Sequence, residues 1–364
     1  MKGAGKKFIV LVAVLTVFGA GASLALAAQV PESPEVISLT DAIKLAAAHS
    51  PHIKRAELEL KEAELSLNEV RAEQYLQPSP VRLREAENSV KLAAIDLETA
   101  RQDVAFSVEE AYYEIIRQQN LVKVNEEALL SVTTDLKTVE SRFRAGVASR
   151  LDLLSVRNQV SSVEVTLQAT KRDLENTLFA FSLLTGVEIG EIKLSYESYE
   201  DYTIPDVEIN LDTSIKEALN NRVEVKKAKL NVNLRETDLE LADPAYTPDI
   251  QIERIRIALE KARIDEGSVK EEIILEVRRL FNTLKKSEQL IEVNRQKCEQ
   301  LKEALSVAEA RFEAKIVTIG EVLDAKTNLI EGESSYINSI FDYNLNLTRF
   351  FNYIGQSFSE REEK

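Results

Sequence analysis

Few residues in this chain could do chemistry, and they stand alone. The only histidines, His49 and His52, lie close together near the front. A metal site or an acid–base pair would need further partners that the neighbouring sequence does not offer. Both read as polar surface residues on a short helix and the turn after it. The single cysteine, Cys298, rules out an internal disulfide framework and a cysteine zinc cage. It falls on an apolar seam, so it reads as a small buried group and not as a nucleophile. Glu321 and Asp324 are three residues apart and therefore share one face of a helix. In so acidic a chain, two such acids are ordinarily a solvated face. No catalytic, cofactor-binding or metal-binding residue is assigned, and an enzyme is not expected.

The composition asks for long helices to position these side chains. Among 364 residues there are 11 glycines, 8 prolines and no tryptophan, too few turn formers for an all-β fold. Alanine, leucine, glutamate, lysine and valine dominate, the balance of amphipathic helices. The formal net charge of −15 argues against nucleic acid, whose phosphates need a basic face.

Residues 1–27 read as a secretory signal peptide. Lys2, Lys6 and Lys7 precede an uncharged apolar run that ends in Ala25-Leu26-Ala27. A retained membrane anchor is the alternative, because about 20 apolar residues can span a bilayer. Either way the body is exported to the cell envelope.

An internal repeat sets the domain plan. Arg142-Phe143-Arg144-Ala145-Gly146 recurs as Arg311-Phe312-Glu313-Ala314-Lys315, and Asp152-Leu153-Leu154 as Glu321-Val322-Leu323. Two helical units, 39–186 and 211–355, follow, joined by a connector at 187–210 and closed by a polar tail at 356–364. In each unit a short helix, capped by Thr40 or Asp41 and by Asp212 or Thr213, precedes a second, a very long third and a fourth. The first unit places these helices at about 51–76, 80–145 and 151–185, and the second at about 223–242, 253–315 and 319–354. The connector is expected to add a short strand or small helix.

The long helices carry a seven-residue repeat that predicts coiled-coil packing. In the first it runs through Val108, Ile115, Val122, Val132, Val139 and Phe143, and in the second through Ile273, Val277, Leu284, Ile291, Cys298 and Phe312. Asn125 and Asn294 occupy equivalent points of this seam, where a polar residue commonly fixes register. A second apolar stripe, with Tyr112, Ile116 and Leu130, predicts neighbours on both flanks, as in a closed ring of helices.

This pattern resembles the TolC-type outer-membrane efflux proteins. The resemblance rests on Leu39-Thr40-Asp41-Ala42-Ile43, the two repeated motifs, Asp324-Ala325 and Asp342-Tyr343-Asn344-Leu345 before Gly355. It implies an all-α body of antiparallel coiled coils in two tandem repeats. Three such chains would form a helical conduit across the periplasm. A periplasmic adaptor and an inner-membrane pump would dock at its closed tip, through Arg144, Gly146, Val147, Lys315 and Ile316. Glu321 and Asp324 would ring the entrance; threefold symmetry would gather about six carboxylates there and favour cations. Asp152 and Phe312 would belong to a latch that holds the tip shut. Lys315 departs from the family's glycine, and Val317 stands where some members carry a latch arginine.

The largest departure lies between the second and third helices of each unit. The family inserts membrane strands there, each needing about 9–11 residues. This chain offers only Gln77-Pro78-Ser79-Pro80 and Asp243–Asp249, followed by Ile250-Gln251-Ile252 as a vestigial strand at most. No membrane-spanning barrel is expected, and contact with a membrane is left open. Two readings compete: an efflux or secretion conduit, and a non-transporting envelope spacer built from the same rods. A degenerate paralogue and an envelope with a modified outer membrane both fit the missing strands. A periplasmic adaptor fits poorly, because lipoyl-like and β-barrel domains are missing from the sequence.

Overall fold

The computed structural model describes residues 37–75, 78–191, 194, 209–243 and 245–356. The signal segment, most of the connector and the tail beyond 356 lie outside the described residues. Eight α-helices fill the rest: α1 (Leu39–His49), α2 (Pro51–Glu73), α3 (Pro80–Arg144), α4 (Arg150–Thr185), α5 (Leu211–Asn221), α6 (Val223–Leu241), α7 (Asp249–Glu313) and α8 (Ile319–Ile354). A 3₁₀ turn, Ile189–Glu191, follows α4, and Leu194 makes one parallel bridge to Ile37. Named strands do not occur among the described residues, and none of the described helices is long and apolar enough to cross a membrane.

Helix starts follow capping chemistry, with corrections to the expected positions. Ser38 caps α1 through a 3.2 Å bond from the Asp41 N–H, and the Asn210 Oδ1 caps α5 by accepting from the Asp212 and Thr213 N–H groups at 3.0 and 3.1 Å. The caps therefore precede Thr40 and Asp212, because the capping oxygen must reach N–H groups two or three residues ahead. Ser50 closes α1 and caps α2, with Pro51 in the first turn, where its missing N–H costs nothing. Ile250, Gln251 and Ile252 are not strand: the Pro248 carbonyl accepts from the Gln251 and Ile252 N–H groups at 2.8 and 3.1 Å, and all three residues lie in the first turn of α7.

Helices α3 and α7 each hold 65 residues, and α4 and α8 each hold 36. At 1.5 Å per residue the long helices span about 100 Å. Helix α3 packs against α2, α4, α6 and α8, α7 packs against α6 and α8, and α4 also touches α8. The result is an open row of rods, with α2 and α4 at one edge and α7 at the other. Helices α1 and α5 buttress its middle.

The main apolar cluster sits at that middle and includes Val108, Ile115, Phe181, Ile337, Ile340 and Phe350. Burying each such apolar side chain contributes about 2 kcal/mol. Smaller clusters lie toward the two ends, around Val156 and Leu323 and around Val232 and Leu259. Seam residues Val132, Val139, Val277, Leu284, Ile291 and Cys298 are buried. Of the second stripe, Tyr112 and Ile116 are buried within the chain, whereas Leu130 is 72% exposed.

Candidate functional site

The α3–α4 and α7–α8 hairpins turn at the same end of the row. The first closes with a Schellman motif: the Val147 N–H donates to the Arg142 carbonyl at 2.8 Å, and the Gly146 N–H to the Phe143 carbonyl at 3.0 Å. The second repeats it, with Ile316 donating to Arg311 and Lys315 to Phe312, both at 2.9 Å. Both turns need a left-handed residue, and Gly146 (φ 75°) and Lys315 (φ 60°) supply it. Val147 and Ile316, the residues that follow, are 71% and 68% exposed. Each hairpin thus presents one bare aliphatic side chain at its turn, with Arg144 exposed beside the first.

The other sequence-singled residues cluster within a few turns of this end. Asp152 lies in a capping box: its carboxylate accepts from the Ser149 backbone N–H and hydroxyl, both at 2.8 Å. Phe312 packs on the tip cluster, with the Arg142 guanidinium 5.1 Å from its ring centroid. Glu321 and Asp324 are both exposed, and Glu321 pairs with Arg311 at 3.8 Å. Asn125 and Asn294 lie farther up the seams. The Asn125 Nδ2 donates to the Leu121 carbonyl at 2.9 Å and to Thr170 at 3.4 Å; that of Asn294 reaches the Ser335 carbonyl at 3.3 Å. Each therefore links a long helix to the shorter one that follows it.

Sequence reading missed the polar ties between the two hairpins. The Lys326 Nζ lies 2.6 Å from Asp135, 3.1 Å from the Ser131 hydroxyl and 3.7 Å from Glu309. Its side chain is only 11% exposed and joins α8 to α3 and α7. The neighbouring Thr327 accepts from the Gln159 Nε2 of α4 at 2.9 Å. A signal was present: Lys326 continues the Ile319, Leu323, Ile330, Ile337 spacing of α8, where a cation needs an acid opposite.

Away from the tip, a polar groove of about 820 Å³ runs between α3, α4 and α8. Its walls include Ser107, Glu110, Glu114, Arg117, Asn176, Asp342 and Arg349. Arg349 donates to Glu110 at 2.7 Å, and Arg117 bridges Glu114 and Asp342. Tyr112, whose hydroxyl donates to the Ile37 carbonyl at 3.3 Å, marks the side of α3 covered by α1. At 100° per residue, Glu110, Glu114 and Arg117 fall on the opposite side. The wall of rods therefore has one buttressed face and one broadly polar face.

Residues 81–187, which span α3 and α4, match the family described as outer membrane efflux protein. The match falls on the helices that carry the sequence resemblance to the TolC-type efflux proteins. The "Outer membrane protein TolC" of Vibrio cholerae serotype O1 is 20% identical over 328 residues, covering 78% of this chain and 74% of its own. A membrane protein from Pseudomonas aeruginosa superposes with a TM-score of 0.73 at 14% identity, over 88% of this chain and 91% of the other. The Campylobacter jejuni CmeC outer membrane channel gives 0.72 at 13% identity, over 89% and 88%. These structures establish the shared fold. The partial family match and the likeness to these outer-membrane channels support an outer-membrane-factor type of role in the cell envelope, which is not an enzymatic one. Unlike the barrel-bearing pattern expected of the family, the described residues of this chain hold no named strand.

Proposed function

We propose that three copies of this chain close into a helical conduit of a multipartite efflux or secretion system. A periplasmic adaptor and an inner-membrane pump would dock at the hairpin turns. The observation that carries this reading is the distribution of polarity over the row of rods. Both edge elements carry bare apolar side chains: Ile264 (60%), Leu275 (67%) and Val293 (58%) on α7, and Leu58 (60%), Leu65 (56%) and Val165 (70%) on α2 and α4. The face between them, opposite α1, is polar. Edges of this kind are covered when α7 of one copy meets α2 and α4 of the next, and the polar face then lines an axis that carries water.

The division into units 39–186 and 211–355 supports this geometry, since two similar hairpin sets per chain give a regular ring. At the tip, Glu321 and Asp324 would form the acidic entrance, with Arg311 holding Glu321 in place. Val147 and Ile316, with Arg144, Gly146 and Lys315, would form the adaptor surface. Phe312 would act in the latch through Arg142, and Asp152 by fixing the start of α4.

The test is solution size combined with edge cross-linking of the mature protein. Light scattering should return three times the chain mass. Leu65→Cys combined with Ile264→Cys should give disulfide-linked multimers that stop at three. A monomer by scattering, or a trimer without edge cross-links, overturns the ring. In a closed trimer, failure of the polar axis to pass ions favours the spacer reading.

A further inference from the structure

The end of the rods opposite the hairpin turns carries an unassigned feature. Tyr75 and Tyr246 are 92% and 88% exposed, the most exposed of the large apolar side chains among the described residues. They occupy equivalent places in the two halves, between α2 and α3 and between α6 and α7.

Both turns lie at one end of the body. An ion pair joins Lys227 of α6 to Asp96 of α3. Counting at 1.5 Å per residue, the end of α6 and the start of α3 lie about 21 and 24 Å beyond that pair. They are level to within one helical turn.

Hydrogen bonds brace the described residues beside both tyrosines. The Gln74 side chain donates to the Ser79 carbonyl at 2.6 Å and accepts from the Ser79 N–H at 3.0 Å. Asp243 braces the second turn: its carboxylate accepts from the Ala245 N–H at 2.8 Å, and its carbonyl accepts from Tyr246 and Thr247 at 3.0 and 2.8 Å. Both rings therefore stand in water with their apolar faces uncovered. Ile250 (70%) and Leu241 (44%) add apolar surface beside Tyr246.

We propose that Tyr75 and Tyr246 seat this end of the rods on a lipid surface. A tyrosine ring suits the boundary where the phenol oxygen stays hydrated and the ring enters the acyl region. The rings stand on projecting turns and not in a groove, which is the shape for entering a bilayer interface and not for receiving a protein segment. Asp243 and Asp249 flank Tyr246, and the arginines after the first turn, Arg82 and Arg84, are paired with Glu73 and Glu87, so the matching surface is a zwitterionic one and not an anionic one. The contact is independent of whether the axis conducts.

The chain has no tryptophan, so single substitutions report without background. Tyr75→Trp and Tyr246→Trp in the mature full chain, mixed with phosphatidylcholine vesicles, should shift to the blue and be quenched by brominated acyl chains. Leu151→Trp at the opposite end should do neither. Tyr75→Ser with Tyr246→Ser should cut vesicle co-flotation at least about tenfold with helicity unchanged. No shift at either tyrosine position overturns the proposal. So does an equal shift at Leu151→Trp, binding confined to anionic vesicles, or a shift that grows with protein concentration without lipid, which would mean end-to-end pairing of copies.

Discussion

Lys315 occupies in the second hairpin the left-handed position that Gly146 occupies in the first, with the same pair of hydrogen bonds closing the turn. The backbone geometry is shared and only its steric cost differs. A side chain at positive φ costs about 1–2 kcal/mol, because its Cβ crowds the following carbonyl. Lys315→Gly should therefore stabilise the chain, by about 0.5–1 kcal/mol after the entropy glycine adds to the unfolded state. Gly146→Ala should destabilise by about 1 kcal/mol, since a Cβ there meets nothing within 4 Å and only the backbone term remains. Denaturant midpoints for the two variants check both signs. A loss of stability in Lys315→Gly would mean that the lysine side chain itself contributes at the turn.

The glycines that end α4 and α8 are more constrained. A Cβ on Gly186 would lie 2.9 Å from the His49 ring, and one on Gly355 would overlap the Asn221 Cβ. In both, the end of a short helix rests on the end of a later one, and the Asn221 Nδ2 also donates to the Ile354 carbonyl at 3.1 Å. Gly355→Ala should cost about 2–4 kcal/mol, clearly more than Gly146→Ala, because strain and overlap add. Thermal unfolding of the two variants side by side tests the ranking. Equal losses would show that the α5–α8 contact yields freely.

Much of this architecture was legible because periodicity and breakers act locally. The seven-residue spacing through Val132, Val139, Ile291 and Cys298 gave the seams, and Pro80 and Gly186 gave boundaries that the helices keep. Caps were missed by a few residues: threonine and aspartate dominate the first turn as well as the cap, and only geometry separates the two places. His49 is exposed, as read, and its ring also lies over Gly186, a contact between residues 137 apart that no local pattern encodes. At the tip, positions near the turns followed from the repeat. The partners of Lys326 did not, because they stand on other helices and depend on which helices become neighbours, whereas Asp152 pairs locally with Ser149 in its capping box.

Lys326 should be the most sensitive charged residue near the tip. Its ammonium is nearly enclosed by Asp135, Ser131 and Glu309 from two other helices. Removing one partner of a buried pair strands the other, at a cost of about 3–5 kcal/mol when burial is complete. Asp135 is 24% exposed, so about 1–3 kcal/mol is expected for Lys326→Met. A double-mutant cycle with Asp135→Asn should give a coupling of about 1 kcal/mol or more, whereas the exposed pair Lys44–Asp41 should give less than 0.5 kcal/mol. Amide exchange in the first turns of α8 should rise in Lys326→Met while the middle of the rods stays protected. An unchanged tip with a measurable global loss would assign Lys326 to stability alone.

Cys298 offers a check on the second seam without any mutation. The side chain lies on the α7 seam and is only 4% exposed, and burial pushes its thiol above the usual cysteine range. Only the thiolate attacks disulfide reagents, so access and ionisation both slow the native reaction. Labelling of native protein at pH 8 should run at least about a hundredfold slower than in denaturant, because it waits for local opening of the α7–α8 coiled coil. A chain in which that seam were loose would label within severalfold of the unfolded rate, and the packing of α7 on α8 would then need revision. Added trimer contacts leave this prediction intact, since the seam is internal to one chain.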